Sequence, residues 1–342
     1  MGAVIVNGID TLLGRRIASV AGTGGRPLLD AERVIAGDLP AGDGTGPVDV
    51  VILAPGRGPD VDGSGLGGVD VDGAARLLAV LDAVPVRQVV LVSTAMVYGA
   101  WPTNPLPLSE DAVLRPNPGS HFAADNAELE RLVGEWCERR EGTRLAVLRP
   151  TLTVSADPEA TSWMERSLWH TPSARQGDLD PPGQFLLLDD LVAAVTHALD
   201  AGLQGPFNVA PDGWLRVQRQ VELVGKGGLL RIPGPLADPI ARARWRWRLT
   251  STPPEVLPYT MHPWVVANDR LKATGWEPTS SNEEAFVAVN RPGWWSSLHG
   301  RRRQEVALAG LLGAVGGIVT LVVVLVRRAG RHGAKSASSS SR

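Results

Sequence analysis

The chain has little cysteine and little net charge, and each shortage excludes a class of protein. Its 342 residues include one cysteine, so neither an internal disulfide nor a multi-cysteine zinc site can form. The 34 basic and 36 acidic side chains give a formal charge of -2, without the broad positive field that attracts nucleic acid. We therefore expect no nucleic-acid partner. The spacing of the six histidines also predicts no metal site.

Lysine and tyrosine are scarce as well, and this bears on catalysis. The five residues are Tyr98, Tyr259, Lys226, Lys272 and Lys335. Proline, at Pro102 and Pro263, stands four positions after each tyrosine. No tyrosine of this chain is therefore followed by a lysine four positions later, so helical spacing pairs no tyrosine with a lysine.

A long hydrophobic run stands near the C-terminus. Residues 306–326 are 21 residues without a charge, which as a helix would cover about 30 Å of hydrocarbon. They predict a transmembrane helix between a basic linker at 291–305 and a serine-rich, disordered tail at 327–342. No export signal precedes the run, so we expect a single-pass membrane anchor with a cytoplasmic globular domain. Gly313 and Gly317 would let two anchors pack closely, which leaves a homodimer open.

Short apolar runs alternate with helical patterns over the rest of the chain. Strands are expected at 3–6, 33–36, 48–54, 88–93, 144–148 and 207–210, and helices after the first glycine turn and at 73–83, 124–140 and 186–201. This order predicts an α/β fold, a Rossmann-type doubly wound parallel sheet. We assign residues 1–210 to that domain, with an insertion at about 151–182, and 211–290 to a small C-terminal substrate lobe.

The first strand runs into a glycine-containing turn, Gly8-Ile9-Asp10-Thr11-Leu12-Leu13-Gly14. In a doubly wound fold this turn holds a pyrophosphate against backbone N–H groups and a helix N-terminus. Asp30 follows Gly8 by 22 positions, an interval typical of the acidic residue that binds a ribose hydroxyl. The alternative is that Asp30 is an ordinary loop aspartate.

Several segments occur in the order of a known family. They are Val6-Asn7-Gly8 to Gly14, Gly37-Asp38-Leu39, 48–54, the sequence VSTAMVYG at 92–99, Leu148-Arg149-Pro150 and LKATGWEP at 271–278. Together they resemble the extended short-chain dehydrogenases/reductases, the NAD-dependent epimerase/dehydratases, over roughly residues 1–290. The resemblance implies NAD or NADP as cofactor and a nucleotide-sugar as a further ligand. The cofactor-binding residues that it implies are Gly8, Thr11, Leu12, Leu13, Gly14, Asp30, Asp38, Leu39, Ala54, Pro55, Ser93 and Asn126.

The catalytic positions of that family are only partly matched. Thr94 corresponds to the Ser or Thr that hydrogen-bonds the reacting oxygen. Phe122 stands at the position of the catalytic tyrosine and Asn126 at that of the lysine. A phenyl ring carries no transferable proton, and an amide supplies no cation to lower the pKa of a phenol. His121 stays open as a substitute acid or base.

Three functions follow as alternatives. The favoured one is a membrane-anchored protein that binds NAD(P) or a nucleotide-sugar without the Tyr/Lys chemistry. The second is an active epimerase, dehydratase or reductase with atypical residues, and the third is a scaffold that binds no nucleotide. A basic and aromatic cluster at 242–248 would bind phosphates, lie on anionic lipid, or form a solvated helix face.

Overall fold

The computed structural model describes residues 3–23, 27–37, 47–53, 69–155, 174–176, 181–224, 230–232, 234–247 and 254–289. Residues 1–291 form one compact unit and 292–342 a second, and all the described residues belong to the first. No helix in these ranges is both long enough and apolar enough to cross a membrane. The predicted linker, anchor and tail lie outside the described residues.

Ten strands are described, and six of them form the central sheet. They are β1 Val4–Asn7, β2 Leu28–Asp30, β3 Val48–Leu53, β4 Val86–Val92, β5 Arg144–Pro150, β6 Leu152–Val154, β7 Ala174–Gln176, β8 Phe185–Leu187, β9 Gly205–Val209 and β10 Leu230–Ile232. The sheet order is β2-β1-β3-β4-β5-β9, with every pair parallel. Runs rich in valine and leucine form these strands because both faces of the sheet are covered.

The helices lie on both faces of the sheet. They are α1 Leu12–Thr23, α2 Ala31–Ile35, α3 Val71–Leu81, α4 His121–Glu138, α5 Leu188–Ala201, α6 Val217–Val224, α7 Gly234–Arg246, α8 Leu257–Met261, α9 Asp269–Lys272 and α10 Asn282–Val289. One core packs α2, α3 and α4 against the sheet, and the other packs α1 and α5 against the opposite face. The predicted doubly wound architecture is confirmed.

One predicted strand is wrong. Residues 33–36 were expected in the sheet, but the second strand is β2 and these residues belong to α2 and its end. The side chain of Asp30 accepts a hydrogen bond from the backbone N–H of Glu32 at 3.1 Å, which begins the helix. Ala31 and Val34 are buried on the same face of this helix. A segment this short, with three apolar residues at 34–36, fits either a strand or a helix, and here the cap decides.

The elements outside the central sheet belong to the same compact unit, and those after β9 contact elements that precede it. Two short parallel pairs, β6 with β8 and β7 with β10, lie beside the sheet. Helix α10 packs on β8 through Phe185 and Phe286, whose ring centroids are 5.2 Å apart. Tyr259 of α8 reaches the carboxyl end of β4, where its hydroxyl donates to the carbonyl of Met96 at 2.9 Å. The division at residue 210 into a sheet domain and a lobe remains a prediction.

Candidate functional site

A crevice opens where the strand order reverses. The chain passes from β1 to β2 on one side and later to β3 on the other, and ligands of open α/β sheets bind at the carboxyl ends of such strands. A cavity of about 370 Å³ lies there. Its lining residues are Asn7, Gly8, Ile9, Asp10, Asp30, Glu32, Leu53, Val69, Asp70, Ala74 and Leu129.

The glycine turn has the geometry that a phosphate site needs. Gly8 has a φ of +81°, and a Cβ on Gly14 would lie 2.1 Å from the Gly8 carbonyl oxygen, so only glycine fits at either position. The Thr11 hydroxyl donates to the Gly8 carbonyl at 2.7 Å and accepts from the Gly14 N–H at 2.9 Å. Thr11 therefore caps the start of α1. The N–H groups of Leu12 and Leu13 at this helix end have no intrahelical acceptor and can bind an anion.

Acidic side chains surround the rest of the crevice. Asp30 stands at the end of β2, and one of its carboxylate oxygens caps α2. Asp70 accepts from the Gly73 N–H at 3.1 Å and caps α3. With Asp10 and Glu32 they put four carboxylates around the cavity. Carboxylates accept hydrogen bonds from sugar hydroxyls and repel an added phosphate.

The predicted catalytic threonine lies at the end of β4. Ser93 and Thr94 are buried there, and a short 3-10 helix, Ala95–Tyr98, follows. The Thr94 hydroxyl oxygen accepts from the Met96 N–H at 3.2 Å. Its own proton stays available to a neighbouring oxygen. The structure thus places Thr94 at the carboxyl edge of the sheet, as the family resemblance implies.

Helix α4 brings Phe122 and Asn126 to its buried face, one turn apart. The side-chain amide of Asn126 donates to the Phe122 carbonyl at 2.8 Å. Among the described residues, the side-chain oxygens of Asn126, Ser93 and Thr151 are buried without a hydrogen-bond partner. Such atoms cost free energy unless a ligand or water satisfies them. His121, at the start of the same helix, is exposed to solvent.

The remaining predicted cofactor residues, Asp38, Leu39, Ala54 and Pro55, lie outside the described residues. Nothing in the structure tests their assignment. The lining residues Glu32 and Asp70 were missed by the sequence reasoning. The signal for each is its position, since Glu32 follows β2 at the first turn of α2 and Asp70 precedes α3.

A buried polar network behind the site was also missed. Arg149 on β5 makes a two-pronged contact with Glu130 on α4, with Nη2 to Oε2 at 2.7 Å and Nε to Oε1 at 3.1 Å. Its Nη1 donates to the Tyr98 hydroxyl at 2.8 Å, which donates to Oδ1 of Asn208 at 2.8 Å. Glu110 accepts the Asn208 N–H at 3.0 Å. Burial raises the pKa of Tyr98. The network joins the ends of β4, β5 and β9 to α4.

Tyr259 is the second of the chain's two tyrosines, and its hydroxyl contacts Met96, two residues after Thr94. It is buried, and its ring meets the Trp264 ring edge-on at 5.5 Å between centroids. Burial raises its pKa to about 12. At neutral pH the hydroxyl therefore keeps its proton, which it donates to Met96.

Sequence comparison finds a family match for the middle of the chain. Residues 47–210 match the model of the NAD dependent epimerase/dehydratase family. Uncharacterized proteins of Mycobacterium tuberculosis and Mycobacterium bovis are 29% identical over 255 residues, which is 70% of this chain and 65% of each relative. The match thus spans less than two thirds of the length of these curated relatives.

Solved structures share the fold at low sequence identity. A short-chain dehydrogenase/reductase superfamily protein from Agrobacterium tumefaciens with bound NAD has a TM-score of 0.61 at 18% identity, covering 90% of this chain and 99% of its own. A human epimerase family protein with NADPH scores 0.60 at 16%, covering 84% and 99%. UDP-glucose 4-epimerase of Thermotoga maritima with UDP-glucose scores 0.59 at 17%, covering 84% and 97%. The chain is thus similar, in sequence over residues 47–210 and in fold, to the NAD dependent epimerase/dehydratases.

Proposed function

We propose that this protein is a membrane-anchored protein that binds NAD at the sheet crevice and lacks the Tyr/Lys proton chemistry of the epimerase/dehydratase family. One observation carries the proposal. The first part of the glycine turn, Gly8 to Asp10, which leads into α1, lines one cavity together with Asp30 at the point where the strand order reverses. These are the elements that bind the two phosphates and a ribose of a dinucleotide.

The crevice favours NAD over NADP. The N–H groups of Leu12 and Leu13 would hold the pyrophosphate, and Arg15, which donates to the Asp10 carbonyl, adds a cation beside the turn. The free oxygen of Asp30 would accept a ribose hydroxyl. A phosphate on that ribose would instead face Asp30 and Glu32 at close range. The structural neighbours that bind NAD or NADPH support a dinucleotide of either kind, and the acidic lining supports NAD.

The other end of the cofactor would meet α4 and the ends of β4 and β5. The unpartnered oxygens of Ser93, Asn126 and Thr151 fit a polar group such as the nicotinamide ribose or its amide. Bound NAD supplies a hydride acceptor. For proton transfer this chain offers Thr94, a hydrogen-bond donor with no base beside it at positions 122 and 126. The raised pKa of Tyr259 opposes a role as a base near neutral pH.

A nucleotide-sugar is the second proposed ligand. The Thermotoga maritima epimerase, which shares this fold, carries UDP-glucose in its structure. On this proposal the protein would hold such a ligand beside Thr94 without converting it.

The test is a titration of the full chain in detergent with NAD and NADP, followed by calorimetry. Asp30→Ala should weaken NAD binding about tenfold to a hundredfold, because a hydrogen bond to a charged group contributes about 1.5–3 kcal/mol. The same change should leave NADP binding unchanged or tighter. Asp111→Ala is the matched control, since Asp111 is exposed and pairs with Arg270 instead of lining the crevice. Failure of both NAD and NADP to bind at millimolar concentration would refute the proposal and favour the scaffold alternative.

Catalysis is tested with the same preparation. The full chain is mixed with NAD and UDP-glucose, and the absorbance of reduced nicotinamide is followed. We expect none to accumulate and no conversion of the sugar. Turnover that disappears in Thr94→Ala, with NAD binding preserved, would refute the proposal and establish an enzyme with atypical residues.

We propose further that residues 306–326 anchor the chain with its globular part in the cytoplasm. The uncharged length of the run supports the anchor. Arginines flank the run on both sides, at 301–303 and at 327–328, so their distribution favours neither orientation. The full chain should stay with membranes in alkaline carbonate, and a chain lacking 306–342 should be released. Protease added outside intact cells should leave the globular part uncut. Its digestion under these conditions would reverse the orientation.

A further inference from the structure

Helix α7 carries an apolar surface that faces solvent. Leu236 is 52% exposed, Ile240 36% and Trp247 69%. Trp247 continues the helix, since its N–H donates to the Ala243 carbonyl at 3.0 Å. At about 100° per residue the three side chains fall within about 40° of one another on the helix. They form one line, here called the α7 stripe.

The opposite side of α7 packs on the protein. Ala241 packs against Leu257 of α8, and Trp245 is half-buried. Both lie far around the helix from the α7 stripe. Packing against the domain therefore accounts for the inner face of α7 and leaves the stripe outward.

Arginines flank the α7 stripe on both sides. Arg244 and Arg246 lie about 80° to either side of Leu236 by helical geometry. No carboxylate of the described residues pairs with either of them, whereas Arg242 pairs with Asp238 at 2.8 Å. An apolar line between two cationic edges matches the boundary of an anionic bilayer, where phosphates lie above acyl chains. Free phosphate offers charge alone and nothing to bury Leu236, Ile240 and Trp247.

We propose that α7 lies on an anionic membrane surface, with the α7 stripe at the headgroup boundary and Arg244 and Arg246 on lipid phosphates. The proposal concerns a surface apart from the crevice and holds whether or not NAD binds. It identifies anionic lipid among the three alternatives that the sequence leaves for this cluster. The proposed anchor would hold the domain near the same bilayer, but the contact itself belongs to α7.

The experiment uses the full chain with a polarity-sensitive dye on a cysteine in place of the stripe residue, Trp247→Cys. The native Cys137 is buried, and burial raises the pKa of its thiol to about 12, so it stays unlabelled. Vesicles contain phosphatidylcholine alone or with phosphatidylglycerol. We expect the dye emission to shift to the blue and to be shielded from an aqueous quencher in the anionic vesicles only.

Two further labels control for position. Leu236→Cys leaves Trp247 in place and should report the same shift. Val113→Cys, at a side chain 81% exposed and far along the chain, should report water in both kinds of vesicle. Equal shifts at Val113→Cys and Trp247→Cys, or equal shifts in neutral and anionic vesicles, would overturn the proposal.

Charge removal and soluble phosphate complete the test. Arg244→Gln with Arg246→Gln should weaken the anionic contact roughly 30-fold, from about fivefold per arginine near a charged surface. A shift produced by inorganic phosphate without lipid would overturn the assignment to a membrane. Flotation of the unlabelled chain with neutral vesicles measures the membrane binding of the anchor alone, because these vesicles offer no anionic lipid to α7. A chain that floats on neither kind of vesicle would refute both the anchor and the α7 contact.

Discussion

The buried pair of Arg149 and Glu130 gives the most direct test of how the site is held together. Both side chains are more than nine-tenths buried. In Glu130→Gln the guanidinium of Arg149 would keep only neutral acceptors, the Tyr98 hydroxyl and the Glu110 carbonyl. Breaking a buried pair at one partner leaves an uncompensated charge and costs about 3–5 kcal/mol. We expect a loss of that size in the free energy of unfolding.

Urea unfolding followed by circular dichroism measures this loss. The matched control is Glu128→Gln on the same helix, where the half-exposed carboxylate pairs with Arg131 in solvent and should contribute far less to stability than the buried pair. Equal losses in the two variants would show that Arg149 is not desolvated. Glu130→Leu with Arg149→Met should recover much of the loss, because well-packed apolar residues replace buried pairs at little cost. A double variant less stable than Glu130→Gln would place the stability in the wider network instead.

Three more predictions follow from single side chains. Folding raises the pKa of Tyr259 from 10.0 to about 12. The free energy of unfolding should therefore fall between pH 10 and 12, because the unfolded phenol ionises there while the folded one does not. In urea titrations at alkaline pH, Tyr259→Phe should remove up to about 3 kcal/mol of this pH dependence. Cys137 should not react with a thiol reagent at pH 8 until the protein unfolds, and rapid labelling of the native chain would contradict its burial. In Gly14→Ala the new Cβ would clash with the Gly8 carbonyl oxygen. Calorimetry should then find NAD binding lost, while the circular dichroism spectrum stays near native. An unchanged affinity for NAD would place the cofactor elsewhere.

The parallel sheet was predictable because its strands are short runs rich in valine, isoleucine and leucine, separated by helical patterns. Residues 48–53 and 86–92 show this most clearly, and both strands appear close to the expected bounds. The local pattern failed at residues 28–35, because a three-residue strand and a five-residue helix are both too short for their periodicity to be visible. The cap by Asp30 sets that boundary, and it depends on one side-chain hydrogen bond instead of on periodicity.

The residues of the candidate site likewise include some that the sequence predicts and some that it does not. The turn from Gly8 to Gly14 and Asp30 were identified from spacing, since the first strand fixes where the turn must lie. The partners of Arg149 were not identifiable, because Glu130, Glu110 and Tyr98 stand 19, 39 and 51 positions away in sequence and no local pattern joins them. Within the glycine turn, Thr11 departs from the glycine-rich pattern that is usual for a dinucleotide site. In the structure its hydroxyl caps α1, so the departure keeps the turn in shape.

Helix α4 contributes to two separate properties of the site: its shape, and the side chains at the positions that are catalytic in the similar family. Glu130 fastens the helix to β5 through Arg149, and this contact fixes the shape of the site whatever the site does. Phe122 and Asn126 lie two turns and one turn earlier on the buried face. On the proposed function they leave these positions without a side chain that can transfer a proton. A sequence can therefore keep the first property and change the second with no change of fold. Likeness of fold to working epimerases is accordingly compatible with binding alone, and activity must be argued from positions 122 and 126.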